Sequence, residues 1–86
     1  MIQERKDIIK YAVNLDILDI NTYSGYKGDL IVKITTLQKN DDVKERIKAY
    51  AHNLGMEVVV KTNVHTLVYE IYCISIDSDS YGLKLE

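Results

Sequence analysis

The residues able to do chemistry in this chain are few and widely spaced. His52 and His65 are its two histidines and Cys73 its one cysteine, so no cluster at zinc-ligand spacing forms, and structural or solvated roles suit both histidines better than coordination. Cys73 sits in an alternating apolar stretch, has no second thiol for an internal disulfide, and reads as a small buried hydrophobe. Gly25-Tyr26-Lys27-Gly28 has the composition of a hairpin turn rather than of a phosphate-cradling loop. Asp77-Ser78-Asp79-Ser80 lacks the remaining ligands of a calcium loop and reads as a solvated tail.

The elements that would position any site are more legible, because the chain repeats itself. Tyr11-Ala12-Val13-Asn14-Leu15 returns 39 residues later as Tyr50-Ala51-His52-Asn53-Leu54, and each copy precedes two stretches with strand character. One helix-strand-strand unit cannot bury its own apolar face, whereas two facing units can. In the second unit Asp42 and Glu45 have the spacing of a capping box, and Val43, Ile47, Ala51 and Leu54 form one helical stripe. Gly55 is placed to close that helix at about Asn53 or Leu54. Met56 to Lys61 is β-branched, Thr62 to His65 is polar, and Thr66 to Ile76 alternates Leu67, Tyr69, Ile71 and Cys73 against Glu70 and Tyr72, which predicts an antiparallel hairpin. In the first unit Ile8, Ala12, Leu15 and Leu18 predict a helix running to about Leu18. Ile20 to Ser24 and Leu30 to Thr36 then predict a second hairpin.

The resulting expectation is one α+β domain of αββαββ topology over residues 1–86. Its repeat units span about 3–37 and 41–76, a polar tail covers 77–86, and an internal pseudo-twofold relates the halves. It is a two-layer sandwich, with two helices on one face of a four-stranded antiparallel sheet and the other face open. The chain has 86 residues, 47% of them hydrophobic and 28% charged, which is ordinary for a globular protein. A chain of this size buries roughly 60 to 65% of its unfolded surface, enough for a single core without staples. No apolar run nears the roughly 18 to 20 residues that cross a bilayer, and the first seven residues are too charged for a signal peptide, so a cytoplasmic location is expected. Leu85-Glu86 has the form of a cloning scar, which would put the natural end near Lys84. Seven tyrosines with no phenylalanine, tryptophan or proline fit a half-buried sheet or a partner surface, although codon drift in an AT-rich genome explains the bias better.

The order helix, hairpin, helix, hairpin resembles the core of the LAGLIDADG homing endonucleases over about residues 8–76. The stretch from Ile34-Thr35-Thr36 through Asp41-Asp42-Val43 to Tyr50-Ala51-His52-Asn53-Leu54-Gly55-Met56 shares in that resemblance. The family's signature segment ends its first helix and presents an acidic residue to a divalent metal. It corresponds here to Ala12 through Ile20, so the resemblance implies Asp19 or Asp16 as the metal-binding carboxylate, with Mg2+ as cofactor under that reading alone. The segment departs from the pattern in having no glycine, and only a short tail stands where the family carries a third helix. Gly28 to Ile74 also follows the strand, helix and hairpin order of the small sulfur-carrier proteins, but the cysteine-proline pair those carriers use is absent.

Strand parity places Asp19, Asn21, Tyr23, Ile31, Lys33, Thr35, Glu57, Val59, Lys61, Val68, Glu70, Tyr72 and Ile74 on the face away from the helices. With three acids, two bases and a whole-chain charge of −2, that face lacks the basic footprint of a duplex-DNA binder. Its apolar members instead point to association. The expected interaction face is Tyr23, Ile31, Lys33, Val59, Lys61, Val68, Tyr72 and Ile74, and the expected partner is another protein or a second copy. The chain thus reads as a non-catalytic binding module of a phage or other mobile element, with metal-dependent DNA cleavage as the alternative.

Overall fold

A computed structural model describes residues 2–24 and 30–75. Its elements run α1 (Ile2–Ala12), β1 (Asp19–Ser24), β2 (Leu30–Leu37), a 3-10 turn (Gln38–Asn40), α2 (Asp41–Asn53), β3 (Glu57–Asn63) and β4 (Val68–Ser75). The four strands form one antiparallel sheet in the order β1-β2-β4-β3, so the two hairpins meet through their second strands. The fold is α+β, as the alternating and helical periodicities predict.

Both helices lie over one sheet face. Ile8 and Ala12 from α1, with Val43, Ile47 and Ala51 from α2, meet Val32 and Ile34 of β2 and Ile71 and Cys73 of β4 in a single core. Buried positions recur at the spacing of the repeated segment. Ile8 and Ile47, Ala12 and Ala51, Val32 and Ile71, Ile34 and Cys73, and Thr36 and Ser75 are each 39 residues apart, and all are buried. The helices touch through Tyr11 and Tyr50, also 39 apart, whose rings stack with centroids at 4.0 Å and an interplanar angle of 1°. The two inward hydroxyl residues are hydrogen-bonded: Thr36 Oγ1 donates to the Asp16 carbonyl at 3.0 Å and Ser75 Oγ to Glu4 Oε2 at 2.7 Å.

Three local expectations are corrected. Helix α1 ends at Ala12 instead of near Leu18. The Asn14 side-chain amide donates to the Lys10 carbonyl at 3.0 Å, closing the last turn, and the Leu18 amide bonds the Thr35 carbonyl of β2. Leu18 is consequently 55% exposed. Helix α2 begins at Asp41 with no side-chain cap. The Asp42/Glu45 capping box does not form, because Glu45 Oε2 pairs with Lys44 and Lys48. The β3–β4 turn occupies 64–67 rather than 62–65, since Asn63 Oδ1 accepts the amides of His65 and Thr66 and carries the strand two residues further. Leu67, expected to point inward, sits in that turn at φ 58° and is 61% exposed.

The end of α2 follows expectation. Gly55 at φ 81° sends its amide to the His52 carbonyl, and the Met56 amide reaches the Ala51 carbonyl, the paired bonds of a Schellman closure. The turn expected at Gly25-Tyr26-Lys27-Gly28 and the polar tail expected over 77–86 lie outside the described residues.

Candidate functional site

The face of the sheet opposite the helices is set by alternation along each strand. On β2, Val32, Ile34 and Thr36 are buried while Ile31, Lys33 and Thr35 between them are half-exposed, and β4 alternates in the same way through Glu70, Tyr72 and Ile74. The register then sets these outward side chains in rows across the sheet. One row runs Asp19, Thr35, Glu70, Lys61, the next Asn21, Lys33, Tyr72, Val59, and the third Tyr23, Ile31, Ile74, Glu57. The charged row therefore lies at one end and the apolar row at the other, with Tyr72 between.

Tyr72 is held between two lysines. Lys33 Nζ lies 5.9 Å from its ring centroid and Lys61 Nζ 5.5 Å, both within cation–π reach. Lys33 also pairs with Glu70 at 3.4 Å, and this hydrogen-bonded carboxylate raises the lysine's pKa. No such pairing of Lys61 occurs among the described residues, so its charge is available at the edge strand β3. Tyr23 and Val59 are close to half exposed, and Ile31, Tyr72 and Ile74 retain partial exposure.

Val68 is corrected. Its parity places it on this face, but it is only 8% exposed. At this start of β4, Gln38 Nε2 donates to the carbonyls of Asn63 at 3.1 Å and Val68 at 3.4 Å. Beside it, Leu37, Gln38, Lys39 and Leu67 line a surface hollow that the sequence did not reveal, because it depends on the shifted turn.

Asp16 and Asp19, the carboxylates implied by the homing-endonuclease resemblance, are not on a helix. Asp16 lies in the connection after α1, where its Oδ2 accepts from Asn40 Nδ2 at 3.2 Å. Asp19 opens β1, and its two oxygens take the Ile20 amide at 3.0 Å and Asn21 Nδ2 at 2.8 Å. Each thus has its own local partners, and no group of three or more metal-type ligands occurs among the described residues. Buried Cys73 is the wrong kind of thiol for nucleophilic work, since burial pushes its pKa up to about 12. His52 and His65 are exposed, the first at the end of α2 and the second in the β3–β4 turn.

A second polar cluster ties α2 to β4. Asp41 Oδ1 accepts from Lys44 Nζ at 2.8 Å and from the Tyr69 hydroxyl at 3.0 Å, while Lys44 lies 4.5 Å from the Tyr69 ring centroid. Both hydrogen bonds lower the Asp41 pKa, that of Lys44 more than that of Tyr69. All three side chains satisfy one another, which gives the cluster a fastening role. No family model, curated protein or solved structure matches this chain.

Proposed function

We propose that this chain is a non-catalytic binding module that uses its open sheet face to engage a protein surface. The observation that carries this reading is the row Tyr23, Ile31, Ile74, which continues into Tyr72 and Val59 on a face the helices do not cover. Adjacent apolar side chains on a sheet lose free energy when a partner removes them from water, at about 25 cal/mol per Å2. The charged groups around them supply register rather than bulk affinity.

The same reading takes the domain as a duplicated unit. The buried pairs at a constant spacing, the mutual stacking of Tyr11 on Tyr50 and the strand order with β2 and β4 at the centre all support an internal pseudo-twofold. That axis would pass between Lys33 and Tyr72, which face each other in the register and are themselves 39 apart.

The element order also supports a second reading, a core of homing-endonuclease type with Asp16 or Asp19 as metal ligand. The early end of α1 and the separate hydrogen-bond partners of the two carboxylates weigh against it. Duplex DNA at low salt, with and without Mg2+, separates the readings, because low salt maximises phosphate-driven affinity. The binding-module reading expects neither retention nor nicking, and identical behaviour from an Asp16→Asn/Asp19→Asn variant. Metal-dependent nicking that the variant loses would establish the endonuclease reading in its place.

A further inference from the structure

Within this binding-module reading, on which the inference rests, the occupant of the open face can be named from the arrangement of its charges. We infer that a second copy of this chain covers it, sheet on sheet, about a twofold axis parallel to the strands.

Such an axis lays β1 over β3 of the second copy and β2 over its β4. In the charged row Asp19 then meets Lys61, and Thr35, a hydroxyl donor, meets the Glu70 carboxylate. In the middle row Lys33 meets the face of Tyr72, continuing between copies the cation–π contact already made within each. In the apolar row Ile31 meets Ile74, and the Tyr23 hydroxyl meets Glu57. Every pairing occurs twice by symmetry, and no like charges oppose one another. A twofold running across the strands through the Lys33–Tyr72 row would instead set Lys33 against Lys33.

The charge state of the edges supports this geometry. Lys61 has no carboxylate partner among the described residues, and Asp19 has no cationic one, its oxygens being bonded to an amide and to Asn21. Aligned sheets pack about 10 Å apart with strands near −30°, a rotation that displaces the outer pairs by only a few Å, within the reach of the long Lys61 side chain. Four strands of six to eight residues present a face of roughly 20 by 20 Å, about 400 Å2 in projection, which puts the contact at the small end of the interface range and makes the pairing concentration-dependent.

Charge exchange tests the pairing. By sedimentation equilibrium, the wild type should dimerise. Asp19→Lys alone and Lys61→Asp alone should each weaken the dimer at least about tenfold, because each sets like charges together at two symmetric places. A mixture of the two variants should recover assembly as a heterodimer, which only direct opposition of positions 19 and 61 explains. Circular dichroism melts verify that both variants fold, as exposed edge positions allow. A dimer that ignores both reversals but is lost in Ile74→Lys overturns this axis while leaving the open face as the interface. A dimer that also tolerates Ile74→Lys overturns the axis and the open-face reading together. A wild type that stays monomeric overturns the self-pairing and leaves the face to a different protein.

Discussion

Cys73 shows how environment decides the chemistry of a residue. Its side chain is fully buried between the helices and β4, and burial disfavours the charged thiolate that alkylating reagents require. Native protein at pH 8 should therefore react with iodoacetamide far more slowly than a free thiol, with full reactivity returning in denaturant; rapid labelling of the folded chain would show the core to be more open than described. Asp41 makes the complementary case at the surface. Hydrogen bonds from Lys44 and Tyr69 lower its pKa in the folded state, so its contribution to stability is complete above the unfolded value and is lost as pH falls through the folded one. An acid titration of wild type against Asp41→Asn should accordingly converge at low pH and separate above about pH 4, with the variant the less stable. Equal stability at neutral pH would remove the Asp41 cluster as a fastening between α2 and β4.

The two helices begin from the same Tyr-Ala-x-Asn-Leu ending yet terminate differently, and the difference lies in one residue type. Gly55 adopts a left-handed conformation that closes α2 within two residues, and nothing lies within 4 Å of where a Cβ would stand. Gly55→Ala therefore tests backbone conformation free of steric clash, and a loss of roughly 1 to 2 kcal/mol is expected from chemical denaturation. No loss would mean that the tertiary contacts of Met56 alone set the end of the helix. The first unit has no glycine after its Asn14-Leu15, so Asn14 folds back on Lys10 and a longer connection runs to β1. Helix periodicity read from Ile8, Ala12, Leu15 and Leu18 could not register that event, because Leu15 still packs against the core while the backbone beneath it has left the helix. The strands were more legible: inside and outside alternate along each strand, so the face each residue takes follows once a single buried position is assigned. The β3–β4 turn lies later than composition suggests because Asn63 captures the loop amides, which puts Val64 and Leu67 in the turn although both are apolar.

In the molecule as a whole, two helices and one sheet share a single core on one face of the sheet, and among the described residues no element lies on the other face. The composition of that face was legible from strand parity, all but Val68, which is only 8% exposed at the start of β4 where Gln38 bonds its carbonyl. The cation–π arrangement about Tyr72 and the ordering of charged, mixed and apolar rows were not, since both require the cross-strand register. Those rows turn a list of exposed residues into a self-complementary pattern, and association through that pattern is the central proposal. Isotope-filtered NOE spectra of a mixture of labelled and unlabelled chains test it most directly, because they record only contacts made between copies. The sheet-on-sheet dimer should give intermolecular contacts from Ile31 methyls to Ile74 methyls and from the Lys33 side chain to the Tyr72 ring. Intermolecular contacts confined to helix residues such as Lys10 or His52, or none at all, would contradict it.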